Sequence, residues 1–311
     1  MTIHIALAVH DVSGGYSQHA GVALCSLLSL ASQPVCVHIL HDATLTEENR
    51  RSLQQVAETV DARILFYLLQ LPADWTTVST GAYTPGILFR LLAPTLLPVD
   101  RLLYFDCDIV CRLDIAELWR EPLGGCPIAA VPDRGVTALD ADHQERLCRA
   151  GLDLQRYFNS GVLVLDLAWL RRELDLKEKF AQFLAHFPES MMLDQDFLNW
   201  LFGDHYCQLP EKYNTLVKCC HEAGEKDACD LNEPRIWHFS GLKPWDRYES
   251  KLDRWYWLTL AQTPWQGQAV PGLLAAVDAK LDQLLYSRSW RMTAPYRTLG
   301  DWLRGKWGLF R

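Results

Sequence analysis

Three short apolar runs separated by two helix-like segments constrain this chain more than any other feature. "IHIALAV" (Ile3 to Val9), "VCVHIL" (Val35 to Leu40) and "RILFYLL" (Arg63 to Leu69) read as strands. Between them lie "HAGVALCSLLSLAS" and "TEENRRSLQQVAETV", the second opening on Thr46 as a helix N-cap with Glu47 and Glu48 in the first turn. A β-α-β-α-β order with apolar strands predicts a mainly parallel sheet covered by helices on both faces, an α/β fold. A further strand, "RLLYFD", places Asp106 near its carboxyl end, where open α/β sheets bind ligands.

The next residues, "RLLYFDCDIVCRL", set Asp106 and Asp108 one position apart. Side chains alternate along a strand, so the two acids are expected on one side and Cys107 on the other. Two carboxylates held this close repel and lose hydration, and a divalent cation is the usual reason to keep them together. Further on, "YFNSGVLVLDLAWLRREL" passes from a strand at Val162 to Leu165 into a helix near Leu167, and "LDQDFLNWLF" (Leu193 to Phe202) reads as another helix. "RIWHFSGLKPWDRY" reads as a strand running into a loop broken by Gly and Pro. It carries His238, Gly241 and Lys243. Imidazole beside carboxylates favours Mn²⁺ or another transition ion over Ca²⁺, with Mg²⁺ also possible, and a lysine nearby suits phosphate charge.

These stretches in this order resemble glycosyltransferase family 8, the retaining enzymes that include bacterial lipooligosaccharide galactosyltransferases and glycogenin. The resemblance runs from about Ile3 to about Tyr248 on "LLYFDCDIV", "YFNSGVLVLDL", "LDQDFLN" and "WHFSGLKPW". It implies a GT-A nucleotide-diphospho-sugar fold over residues 1–248, with a C-terminal helical extension over 249–311. It implies a metal-dependent hexosyltransferase that takes galactose or glucose from a UDP-sugar and gives it to a saccharide or lipid-linked saccharide, in lipopolysaccharide or surface-polysaccharide assembly. Asp106, Asp108 and His238 match the family's Mn²⁺ ligands. Arg90 in "LFRLLAP" matches a donor-contacting arginine, and Cys107 sits within the donor motif. Asn159, Ser160 and Gly161 would line the sugar pocket, with Asp194 on the sugar hydroxyls and Gln195 under the anomeric carbon. Gly241 and Lys243 would hold the diphosphate, and Asp133 in "AVPDRG" would face the sugar or acceptor.

The sequence departs from the family where the first strand ends. The family turn "A-D-D-N-Y", which holds base and ribose, is replaced by "LAVHDVSGGYSQHAG", so Ala8, His10, Asp11 and Tyr16 are the candidates for that end of the donor. Asp11 is expected to take over part of the missing acid's role. Because Gln195 is a poor nucleophile, transfer on the leaving-group face is the expected retaining route. Asp194 and Asp196 beside it leave double displacement open.

Two other stretches carry expectations. "KCCHEAGEKDAC" offers Cys219, Cys220, His221 and Cys229 as zinc ligands, but the spacing fits no familiar knuckle, and a loop over the acceptor is the better reading. The last 25 residues carry Arg288, Arg291, Arg297, Arg304, Lys306 and Arg311 against one acid, Asp301, mixed with Trp, Tyr and Phe, a combination suited to an anionic membrane surface. The chain as a whole has a net charge of −8, which argues against nucleic acid as a partner of the main body. No apolar run is long enough to span a bilayer and the N-terminus has no signal-peptide pattern, so a cytoplasmic protein with reduced thiols, peripheral on the inner membrane face, is expected. "FDCDIV" also fits the phosphatase nucleophile pattern D-x-D-x-[TV], with Asp106 as nucleophile. A non-catalytic sugar-nucleotide-binding protein is the third reading.

Overall fold

The computed structural model describes residues 2–75, 84–139, 141–222 and 233–286. Strands β1 (Ile3–Val9), β2 (Val35–His41), β3 (Arg63–Leu68), β4 (Arg101–Phe105), β5 (Ile109–Cys111), β6 (Ile128–Pro132), β7 (Phe158–Asp166), β8 (Cys207–Gln208), β9 (Thr215–Leu216) and β10 (Ile236–His238) form two sheets. The large sheet has the order β3-β2-β1-β4-β7-β6-β8, and the small one β5-β10-β9. Within the large sheet β1, β2, β3 and β4 run parallel to one another, and β7 runs antiparallel to both β4 and β6.

Both faces of β1 are covered, which explains its unbroken apolar sequence. Ile3, Ile5, Leu7 and Val9 pack with helices α1 (Tyr16–Ser29) and α2 (Glu47–Glu58), while Ala6 and Ala8 join the core on the opposite face. The Thr46 hydroxyl accepts from Asn49 N at 3.2 Å, so α2 starts where its cap and first-turn acids predict. The chain leaves β1 toward β2 and β3 on one side and returns to β4 on the other. That reversal opens a crevice at the carboxyl ends of β1 and β4, into which the loops after Val9 and Phe105 feed.

Two local differences from the sequence expectation follow from this frame. β4 stops at Phe105, so Asp106, Cys107 and Asp108 form a turn before β5 instead of continuing a strand. The turn is pinned on both sides: Asp106 N donates to Gly161 O at 2.8 Å, and Phe239 N donates to Asp108 O at 2.9 Å. β7 starts four residues before Val162, which brings Asn159, Ser160 and Gly161 onto the strand itself.

The described residues after 248, 249–286, pack on α1 through Tyr256 and Trp265. His19 Nδ1 lies 2.6 Å from the Tyr256 hydroxyl, and the Trp265 ring covers Gly21 so closely that a Cβ there would fall 2.3 Å from Trp265 Cζ3. A helical glycine costs about 1 kcal/mol relative to alanine, and this indole contact requires it. Trp237, Phe239, Tyr256, Trp257 and Leu260 form a third apolar cluster that joins the small sheet to this region. Among the described residues no helix is long and apolar enough to cross a membrane. The tail 287–311 and residues 223–232, including Cys229, lie outside the described residues, and with them the membrane-surface, zinc and acceptor-loop expectations.

Candidate active site

The crevice is a cleft of about 360 Å³. Its walls include Ala8, His10, Tyr16, Arg90, Asp106, Cys107, Asp108, Asp133, Asn159, Ser160, Asp194, Gln195, His238, Gly241 and Lys243. Elements far apart in sequence therefore deliver nearly every residue singled out above to one place.

At one end, Asp106, Asp108 and His238 bring ligand atoms within 4.8 Å of one another. His238 Nε2 is 3.2 Å from Asp108 Oδ1, while its Nδ1 lies 2.9 Å from Asn214 Oδ1. An amide oxygen can only accept, so that contact puts the ring proton on Nδ1 and leaves the Nε2 lone pair turned toward the carboxylates. Gly161 lies directly beneath: a Cβ there would fall 2.3 Å from His238 Cε1 and 2.7 Å from Asp106 Oδ2. Two carboxylates, one oriented imidazole and a backbone cradle without a side chain fit a divalent cation. The Lys243 ammonium contacts Asp108 Oδ2 and donates to Phe239 O at 2.9 Å. Burial alone would raise the Asp108 pKa, but the Lys243 ammonium outweighs it and holds the group well below the usual carboxylate range.

Arg90 reaches the cleft from a 3₁₀ helix, Pro85–Leu92, and is buried. Its Nη2 donates to Asp106 Oδ1 at 2.7 Å, its Nη1 to Ser160 O at 2.7 Å, and its Nε lies 3.1 Å from Asp194 Oδ2. The guanidinium also stacks over Tyr104 at 4.4 Å. Arg90 thus spends its hydrogen bonds largely on the protein and braces the two acids while also lining the cleft. Burial would lower its pKa, but Asp106 and Asp194 raise it, so the group stays charged.

Gln195 sits at the centre of an amide network. Its Oε1 accepts from Asn159 Nδ2 at 3.1 Å and Ser160 N at 3.0 Å, and its Nε2 donates to Asp133 Oδ2 at 3.1 Å. Asn159 Oδ1 accepts in turn from Asn214 Nδ2 at 2.8 Å. Gln195, Asn159, Asn214 and His238 are therefore one hydrogen-bonded chain that ties the amide end of the cleft to its carboxylate end. Of the two acids flanking Gln195, only Asp194 faces the cleft. Asp196 is fully buried behind it, accepting from Tyr157 OH at 2.5 Å and Ser190 Oγ at 2.7 Å, so double displacement has no support from that residue.

Burial pushes the Asp194 pKa up to about 6 against the pull of Arg90. A carboxyl raised above its unfolded value of 3.8 holds a proton that the unfolded chain has released. Its contribution to stability is complete below 3.8 and is lost as pH rises through about 6. The contribution at stake is roughly 3 kcal/mol at 1.36 kcal/mol per unit. Asp194→Asn does not titrate, so its melting temperature relative to wild type is expected to rise between pH 4 and pH 8. A difference constant with pH would contradict this assignment.

Asp11 does not line the cleft, which corrects the expectation that it serves the base and ribose. Its carboxylate accepts from Tyr16 N at 2.8 Å, Ser17 N at 3.0 Å, Ser17 Oγ at 2.5 Å and Asn49 Nδ2 at 3.0 Å. It caps α1 from five residues upstream, and the Gly14–Gly15 turn gives the chain the length to fold back. His10 does face the cleft, with Nδ1 held 2.6 Å from Asp42 Oδ2. Sequence reasoning missed Asn214 and also Gly86, where a Cβ would fall 2.8 Å from His10 Cβ. Gly86 carried a readable signal in the Pro-Gly pair that opens its helix; Asn214 in "KYNTL" carried none.

A switch-point cleft that joins a D-x-D turn, an oriented histidine and a lysine on a mostly parallel sheet defines a GT-A glycosyltransferase fold. The sequence model of "Glycosyl transferase family 8" matches residues 5–249, and the chain belongs to that family. It is 27% identical over 262 residues to "General stress protein A" of Bacillus subtilis (strain 168), covering 78% of this chain and 87% of that one. It is 30% identical over 275 residues to a lipopolysaccharide 1,2-glucosyltransferase of Escherichia coli, covering 82% of this chain and 78% of that one. Among solved structures, the galactosyltransferase LgtC in complex with donor and acceptor sugar analogs superposes with a TM-score of 0.73 at 22% identity. That match covers 86% of this chain and 100% of LgtC. The protein is a glycosyltransferase.

Proposed function

We propose that this glycosyltransferase is a retaining, metal-dependent hexosyltransferase acting on a UDP-sugar, with galactose or glucose as the transferred sugar. The single observation that carries this reading is the convergence of Asp106, Asp108 and His238 within 4.8 Å beside Lys243. Those three residues would hold Mn²⁺, which stabilises negative charge on the departing diphosphate when bound. Gly241 and Lys243 line the same end of the cleft and are assigned to the diphosphate. The conformation of Gly241 (φ 89°) is one that side-chain-bearing residues rarely adopt, and it lets the backbone approach a phosphate closely.

Asn159, Ser160 and Gly161 are assigned to the sugar, with Asp194 accepting from its hydroxyls and Gln195 under the anomeric carbon. Gln195 is locked by hydrogen bonds with Asn159, Ser160 and Asp133 and is a weak nucleophile, which supports attack by the acceptor on the leaving-group face. Ala8, His10 and Tyr16 are assigned to the base and ribose, and Asp133 to the sugar or acceptor. A phosphatase acting through Asp106 is not favoured, since the family match spans the cleft and Asp106 is engaged by Arg90.

The lipopolysaccharide glucosyltransferase relative supports an acceptor of lipopolysaccharide or surface-polysaccharide type. We assign 1–248 to the catalytic unit and 249–311 to an extension that brings the enzyme to the inner membrane face. The helix Ala269–Tyr286 leads into the basic tail and keeps Val270, Leu274, Leu281, Leu284 and Leu285 exposed, which supports that reading. The protein is expected to co-sediment with phosphatidylglycerol vesicles, and a variant with Arg288, Arg291 and Arg297 changed to Glu is expected to stay in the supernatant. Equal sedimentation of both would sink the membrane assignment.

The function itself is tested with a panel of nucleotide sugars in the absence of acceptor. Slow release of UDP from one hexose donor, stopped by EDTA and restored by Mn²⁺, is the expected result. Release of phosphate from small phosphoesters with no turnover of any nucleotide sugar would overturn it.

A further inference from the structure

A second convergence of ligand side chains lies at the opposite end of the sheet from the cleft. His4 near the start of β1, and Cys36 and His38 on β2, bring ligand atoms within 4.8 Å of one another. The strand register explains why. His4 pairs with Cys36 and Ala6 with His38 in the parallel ladder, and residues two apart project to the same face. His4 Nδ1 and His38 Nε2 are 3.0 Å apart, and His38 Nδ1 lies 3.1 Å from the Tyr67 hydroxyl on β3. Cys36 is 4% exposed and is a free thiol, and His38 is 1% exposed. His4 is only half-buried, which leaves a path from solvent.

The donor chemistry suits a borderline-soft ion. Burial lowers both imidazoles, His38 to about 4, so their nitrogens carry lone pairs at neutral pH. Burial raises the Cys36 thiol above its ordinary value and Arg63 on β3 offsets only part of that rise, so the thiol gives up its proton as the ion binds. In tetrahedral zinc sites with Zn–N near 2.0–2.1 Å, two nitrogens stand about 3.3 Å apart. The imidazole pair is already close to that spacing, and the thiol, within 4.8 Å of both nitrogens, needs to close by no more than about 1.2 Å to reach its own. Tyr67 supplies the outer hydrogen bond that orients a ligating ring.

We propose that His4, Cys36 and His38 form a Zn²⁺ site with a fourth position open to solvent, separate from the carboxylate-rich centre in the cleft. His4 and Ala8 are four residues apart along β1, about 13 Å at strand rise, so the ion takes no part in transfer. Its consequence is structural: it clamps β1 to β2 at the end of the strands remote from substrate. The two centres then sort ions by donor type, oxygen-rich in the cleft and nitrogen–sulfur on the sheet.

The test is a Co²⁺ titration of the full chain without oxygen or competing thiols. Wild type is expected to take up one equivalent with tetrahedral visible bands and a thiolate-to-cobalt charge-transfer band, all displaced by Zn²⁺. Asp106→Asn/Asp108→Asn should retain these signals, and Cys36→Ser should lose the charge-transfer band. His4→Gln, at the half-exposed ligand, should weaken binding by about tenfold or more and decides the matter if Cys36→Ser fails to fold. A wild-type spectrum without the thiolate band, or a band retained at full strength in folded Cys36→Ser or His4→Gln, would overturn the proposal.

Discussion

Arg90→Met is expected to destabilise the protein by about 3–5 kcal/mol, the cost of removing one partner from a buried ionic group. Arg90 is 6% exposed and braces Asp106 and Asp194, which sit on different elements. Methionine fills much of the volume but leaves both carboxylates without their cation. Arg90 is also the influence that lowers the Asp194 pKa against burial. Without it that pKa climbs beyond about 6, Asp194 is protonated at neutral pH, and its capacity to accept from a sugar hydroxyl falls. Urea denaturation reads the first effect and turnover at pH 7 the second. Arg90→Lys keeps the charge but lacks the planar fork that serves Ser160 and both acids, so only partial recovery is expected. A midpoint for Arg90→Met within error of wild type would show that the brace contributes nothing.

Asp108→Asn is expected to cost about a thousandfold in turnover, the upper end for losing one preorganised electrostatic group, while a folded protein remains. The change is nearly isosteric, yet it removes the charge that Lys243 and His238 both address. Stability carries a signature of its own. A carboxylate depressed below its unfolded pKa stabilises the fold above that value and loses this as pH falls. The Asn variant should therefore be less stable than wild type at pH 7, with the deficit shrinking on acidification below the ordinary carboxylate range. A variant that keeps more than about a tenth of wild-type turnover would place the metal elsewhere, since outer-sphere changes alone reach 10–100-fold.

The parts of this fold that could be read from sequence are those where one physical demand dominates. β1 and β2 are buried on both faces, so their apolar runs are continuous and their limits agree with the strands to within a residue. Leu193–Phe202 is a helix over the run read from its pattern. Asp106, Asp108 and His238 were legible because their types and spacing suit a cation. Asp11 misled because its neighbours in sequence suggested a ligand role, whereas the Gly14–Gly15 turn folds α1 back onto it as a cap. Asn214 was invisible because its function depends on His238 Nδ1, supplied by a strand that begins some twenty residues later. Arg90 was found, but its role as a brace depends on three partners that only the tertiary fold brings together.

The proposed hold of Asp106, Asp108 and His238 on a cation, and of that cation on a nucleoside diphosphate, can be measured in solution. Isothermal titration of UDP into the wild-type protein, once with Mn²⁺ and once with EDTA, tests it most directly. Saturable binding is expected with Mn²⁺, with at least about a tenfold loss of affinity in EDTA. Equal affinity in both buffers would contradict it.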